Sequence, residues 1–319
     1  MVTDYSLFYN RDANISGLVP DTDYSGLSQT PSYGSSVTFK SKVVQYNTDD
    51  YYINMMPDSM NSLSALFDVT YEVNESAAQE LAVFFESKNG SELFEFNIDN
   101  SGVYQSIKGV CGSYSVEHTN NQHYNVSAGF TVDQSPNLFN WQDMNFLNYT
   151  LVTWADQAAY EKYDVVYYDE NDNKLNNFYY CTADHTADST NRPEGEATLW
   201  SQAFFYEADI GTSSDIDFKN ELLQFKNSFP LRMKTKDNNA SFPLSLSYSD
   251  ISDKQLKSML HFLENKGGYR RFRYDIPSVY NRPKVFYASE WQHTWNYHNA
   301  HNLTVQLTED VLGVIPTET

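Results

Sequence analysis

The chain has 319 residues, 42 of them Asp or Glu against 21 Lys or Arg, for a formal net charge of −21 at pH 7. A surface this acidic argues against a grip on nucleic acid, which takes clustered Lys and Arg; it is compatible with a surface that DNA slides past, since like charges repel. A hydrophobic content of 40%, with 25 Tyr and 20 Phe, excludes wholesale disorder and favours β structure in two or more domains.

Residues 1–36 are polar and punctuated by Gly17, Pro20, Gly26, Pro31 and Gly34. No period holds there, and an extended N-terminal arm is expected. The opening MVTDYSLFYNRD has no basic stretch followed by an apolar core, so a signal peptide is not expected. No run in the chain approaches the roughly 18 apolar residues of a membrane span. Cys111 and Cys181 stand far apart and suggest neither a metal site nor a disulfide framework. Reduced thiols made in a cytoplasm are the expectation.

From Val37 onward the chain contains a unit that occurs twice, at 37–134 and 218–319. FKSKVVQY (Phe39 to Tyr46) matches FKNELLQF (Phe218 to Phe225). LFDVTY and LSLSY follow as strands. Ala78, Leu81, Ala82 and Phe85 form one apolar helical stripe, and Leu256, Met259, Leu260 and Leu263 form its counterpart. Ser252 followed by Gln255 has the form of a capping box. Asn89-Gly90 and Gly267-Gly268 end the two helices. Phe94 and Phe96, and Tyr269, Phe272 and Tyr274, begin the next strands. GVYQSIKGV (Gly102 to Val110) lies against SVYNRPKVF (Ser278 to Phe286). The copies close with NVSAGFTVD and NLTVQLTED, in which every second residue is apolar, the mark of a half-buried strand. Each copy therefore reads as one helix on an antiparallel sheet or sandwich, and the fold class is mainly β (α+β).

Between the copies, residues 135–217 match neither. They hold linkers and a small β module at about 154–205. Two aromatic strands, Asp164 to Tyr168 and Asn177 to Cys181, flank an acidic turn, and a loop through Pro193 leads to Trp200.

No P-loop, G-x-S-x-G, HExxH or dinucleotide fingerprint appears, so neither a catalytic residue nor a cofactor is assigned. His293, His298 and His301 have spacings that metal ligands use, but they fall where a hairpin tip is expected, and no metal is assigned. Acidic pairs such as Asp49-Asp50 and Glu309-Asp310 are expected by chance at this composition. Arg270, Arg271 and Arg273 form the one basic cluster, and Glu92 and Glu95 occupy the matching strand of the first copy. Opposite charges at matching places suit a contact between unlike copies. Trp154, Tyr160, Tyr179 and Trp200 are candidate glycan contacts, because sugar rings present flat apolar faces. The competing reading makes them the core of a small unit that needs large side chains to fold.

The run FLENKGGYRRFRYD (Phe262 to Asp275), with Lys284, Trp291 and the closing strand, resembles the phage minor tail protein M family of lambda-like phages. The resemblance implies a tail-tube-like fold that forms rings around a DNA channel, in the virion, with no enzymatic activity and no cofactor. The partners it implies are the tail tube protein, the tip or hub proteins, and DNA passing through the lumen unbound. Two domains per chain predict a pseudo-sixfold ring of three chains, with a hexamer of chains as the alternative. The middle module is similar to chitin-binding-type carbohydrate-binding modules through Trp154, Tyr160, Asp164, Val166, Tyr179, Pro193 and Trp200, with Tyr163 where the pattern has glycine. That implies the second functional reading, a host-surface glycan binder.

Overall fold

A computed structural model of the chain describes residues 31–47, 53–57, 63–92, 94–96, 103–104, 107–120, 123–132, 147–150, 152–168, 177–194, 198–209, 213–214, 217–218, 220–223, 231–234, 240–241, 243–276 and 284–310. The N-terminal arm before residue 31 and the acidic turn at 169–173 lie outside these residues. The fold is mainly β, with two helices among the described residues.

The first copy contains β1 (Ser36–Ser41), β2 (Val43–Asn47), β3 (Ile53–Pro57), β4 (Leu63–Asn74), helix α1 (Glu75–Ser87), β5 (Phe94–Phe96), β6 (Ile107–Asn120) and β7 (His123–Val132). The middle module contains β8 (Ala159–Tyr160), β9 (Val165–Tyr167), β10 (Phe178–Cys181), β11 (His185–Thr186) and β12 (Trp200–Ser201). The second copy contains β13 (Ser213–Ser214), β14 (Asp217–Phe218), β15 (Asn220–Leu223), β16 (Leu231–Lys234), β17 (Ala240–Ser241), β18 (Leu244–Ile251), helix α2 (Asp253–Lys266), β19 (Phe272–Tyr274), β20 (Lys284–Tyr297) and β21 (Ala300–Glu309).

The two copies build one ten-stranded antiparallel sheet in the order β13-β18-β21-β20-β1-β4-β7-β6-β5, with β19 also on β20. The copies do not form separate sheets. β1 of the first copy pairs with its own β4 on one side and with β20 of the second copy on the other.

The ladders fix which residues are equivalent, and the spacing is 177 almost everywhere. Lys40 faces Ser64 as Asp217 faces Ser241. Val43 faces Pro57 as Asn220 faces Lys234. Tyr114 faces Ala128 as Trp291 faces Val305. Even the register shifts repeat, between Cys111 and Ser113 and between Ala288 and Glu290. β13 and β14 together are therefore the counterpart of β1, and the second copy begins at Ser213 instead of Phe218. The octamer match at 179 is off by two: Lys40 corresponds to Asp217. The match of Val110 with Phe286 is off by one, since Gly109 takes that place in the ladder. Side-chain similarity guided those matches, whereas the pleat decides the face, and a one-residue slip inverts it. The second copy carries one extra residue between Tyr248 and Ile251, where Asp250 adopts φ 53°, so α2 stands 178 after α1.

Both helices follow from their sequences. The Asn74 side chain accepts from the Ala77 N–H at the start of α1, and Ser252 accepts from Gln255 N–H at the start of α2. Gly267 closes α2 in the left-handed conformation, φ 59°. The Leu256, Met259, Leu260 and Leu263 stripe is fully buried, as the period predicts.

Candidate functional site

The two copies meet where β1 pairs with β20. The inward residues of β1, Val37 and Phe39, are 0% and 2% exposed. Phe39 stacks on Trp291 with ring centroids 5.6 Å apart and lies 6.2 Å from the ring of Tyr104. Tyr104 is edge-on to Phe67 of its own copy and to Trp295 of the other. Tyr104 thus reaches across β1 and covers β20. Before β1, Gly34 N–H donates to Trp295 carbonyl at 2.6 Å, and Trp295 N–H donates to Ser35 carbonyl at 3.0 Å. At the other end, the Ser41 hydroxyl donates to the Ser289 carbonyl at 2.9 Å, and Lys40 stands 3.6 Å from Glu290. Gly268, at φ 78°, lies so close to Ser41 that an added Cβ would collide with that side chain.

A line of buried polar groups runs through the same place. Tyr104 Oη lies 2.8 Å from His293 Nδ1, His293 Nε2 lies 3.0 Å from His301 Nδ1, and His301 Nε2 lies 2.5 Å from Asp253 Oδ1. With Asp253 ionised and both imidazoles neutral, every donor points the same way: Tyr104 O–H into His293, His293 N–H into His301, and His301 N–H into the carboxylate. Burial, and then the neighbouring His301, hold the His293 pKa well below its ordinary value. The line ties the first copy to the first turn of α2. The hairpin-tip expectation is met only by His298; His293 and His301 lie in β20 and β21 with 0% and 1% exposure. The sequence signal that separates them is the alternation of β20, where Trp291, His293 and Trp295 share one face. No group of three or more His, Cys, Asp or Glu among the described residues could hold a metal ion.

The middle module packs on the back of α2. Tyr206 Oη lies 2.5 Å from Ser258 Oγ, and Tyr180 Oη lies 3.0 Å from His261 Nδ1. Tyr149 and Phe178 close over the His261 ring at 4.4 and 4.6 Å. Phe204 and Tyr180 lie against Phe262. Lys254 pairs with Glu161 at 2.8 Å and Asp164 at 2.9 Å. Burial alone pushes His261 down to about 3. The helix is therefore covered on both faces, by the sheet and by the module. In α1 the outward Val83 remains 41% exposed.

The named aromatic residues of the module are mostly its interior. Trp200, Tyr160 and Tyr179 are 2%, 6% and 8% exposed, and the indole N–H of Trp200 donates to the Asn191 carbonyl at 3.0 Å. Trp154 is half-buried and edge-on to Tyr168. A stacking platform presents an open ring face, and the three buried rings offer none. A unit this small spends its large side chains on its own core. Tyr163 does occupy a left-handed position, φ 74°, where the carbohydrate-module pattern has glycine. Its ring lies under Lys162 Nζ and stacks with Phe205 and Tyr206.

The basic cluster is engaged within its own copy. Arg271 pairs with the buried Asp310 at 3.3 Å, Arg273 with Asp275 at 3.0 Å, and Arg270 donates to the Asn265 carbonyl at 3.5 Å. Glu92 lies 4.0 Å from Lys88, and Glu95 faces Lys108 in the β5–β6 ladder. Within the chain the two sets are not brought together: β5 is the far end of the sheet, and β19 lies beside β20 near its middle. The junction uses β1, so the partner of the Arg-bearing strand's neighbourhood is Ser41, not the Glu-bearing strand.

No family model matches the chain, and no curated protein matches it. Among solved structures the chain is similar to the tail protein from Neisseria meningitidis MC58, at 10% identity over 88% of this chain and 98% of that one, with a TM-score of 0.29. At that level the likeness carries neither fold nor function across.

Proposed function

We propose that the chain is a structural component of a tailed-phage tail tip, a ring-forming protein that joins the tail tube to the tip or baseplate hub around the DNA channel. The observation that carries the reading is the head-to-tail union of two copies in one sheet through β1 and β20. A contact between unlike faces of like units closes into a ring or runs on as a filament. Two copies per chain make three chains sufficient for a pseudo-sixfold ring. A net charge of −21 fits a lumen that DNA traverses without sticking. The tube protein on one face and hub proteins on the other are the partners this role requires. No catalytic part is assigned to any residue. The glycan-binding alternative has lost its best platform, because three of its four rings are core. Negative-stain images of the purified chain test the proposal: rings with a central hole support it, and isolated monomers at every concentration contradict it.

A further inference from the structure

We infer that the exposed outer edge of β6, residues 113–120, pairs with β13 and β14 of a second copy of this chain, in the register that β20 and β1 use inside the chain. The inference deepens the ring reading, on which it rests for closure alone.

β6 and β20 are equivalent strands of the two copies. β20 has two neighbours on its outer edge: β19 at Lys284 to Phe286, and β1 at Glu290 to Thr294. β6 has the same length, the same bulge and the same short partner, β5, at Ile107 to Gly109. Beyond that, no described strand pairs with the outer edge of residues 113–120. A 14-residue strand with half of one edge open is a template for another chain. At the other end of the sheet, β13 and β14 pair with β18 and β17 on one side and with no described strand on the other. These two edges are the counterparts of the two that already meet at the junction. The molecule thus carries one such joint made, and both halves of another unmade.

The side chains agree. Trp291, His293 and Trp295 are buried under Phe39 and Tyr104, at 1%, 0% and 9% exposure. Their counterparts Tyr114, Val116 and His118 lack such a cover: Tyr114 is half-buried, His118 is exposed, and Val116 is 45% exposed. Gly268 has Ser41 packed against it and the Ala288 carbonyl at 3.1 Å. Its counterpart Gly90 has the matching Cys111 carbonyl at 3.5 Å, and no other described residue where Ser41 would stand.

The register is specific. Ser36 faces Thr294 and Lys40 faces Glu290, so Ser213 of one chain faces Glu117 of the next, and Asp217 faces Ser113. The test uses full-length chains carrying Ser213→Cys with Glu117→Cys, or Asp217→Cys with Ser113→Cys, oxidised and run without reductant. Facing positions bring Cα atoms within disulfide range. Both pairs are expected to give covalent multiples of the chain, while Ser213→Cys with Ser113→Cys, four residues out of register, gives none. Val116→Lys tolerates folding, since the side chain is exposed in one chain, but it is expected to raise the dissociation constant of the assembly about tenfold or more. Rings that form without in-register cross-links, or cross-links in both registers alike, overturn the pairing and leave the ring reading standing. In-register cross-linked filaments uphold the pairing and overturn the ring. Unmodified chains that stay monomeric overturn both.

Discussion

Lowering the pH from 7 to 5 should destabilise this protein through two buried histidines. His261 and His293 are both 0% exposed, and burial holds both below their ordinary value, His261 at about 3. In the unfolded chain each returns to about 6.5. Between those limits the unfolded state binds more protons than the folded one, so stability is complete above about pH 6.5 and falls as pH drops. Integrated from pH 7 to pH 5, a neutral His261 contributes a loss of about 2 kcal/mol, and His293 acts in the same direction. His301 and Asp253 adjoin His293, whereas His261 is enclosed by Tyr149, Phe178 and Tyr180, which makes it the cleaner probe. His261→Gln keeps a group that can meet Tyr180 Oη and removes the titration. Denaturant unfolding at the two pH values reads the difference. The variant should lose about 2 kcal/mol less than the parent on acidification, whatever its stability at pH 7. Parallel losses in parent and variant would refute the claim that His261 is buried neutral beneath the module.

Gly268→Ala puts a Cβ into Ser41 at a left-handed position, and should cost roughly 2–4 kcal/mol, seen as a lowered denaturation midpoint. An unchanged midpoint would mean that the copies are not in contact there. Trp200→Ala should cost about 3–5 kcal/mol and loosen the whole module, measured by proteolysis within 154–205. A stable, protected module in that variant would return Trp200 to the list of surface rings. Tyr163→Gly relieves about 1 kcal/mol of backbone strain but removes the stack on Phe205 and Tyr206, for a net loss of roughly 1–2 kcal/mol in thermal unfolding. A gain in stability would show that the stack on Phe205 and Tyr206 contributes nothing.

Helix periodicity and caps were legible in the sequence because they are local: the Leu256, Met259, Leu260 and Leu263 stripe, Ser252 and Gly267 all act as read. The closing strands were legible for the same reason. The duplication was legible too, but its register was not, because FKSKVVQY and FKNELLQF align by residue type while the ladders align Lys40 with Asp217. The back of α2 hid in plain view. Ser258, His261 and Phe262 lie outside the Leu256, Met259, Leu260 and Leu263 stripe, and the rings folded over them make that face interior. The Tyr104, His293, His301 and Asp253 line joins residues up to 197 positions apart, beyond any local pattern. Arg271, Arg273 and Glu92 sit at matching places in the repeat, and within the chain each is paired inside its own copy.

Native mass measurement of the assembled protein, joined to averaged end-on images, tests the ring most directly. Three chains forming a closed ring with six similar lobes are expected. Six full chains in the ring, or a ring whose lobes number three, would contradict it.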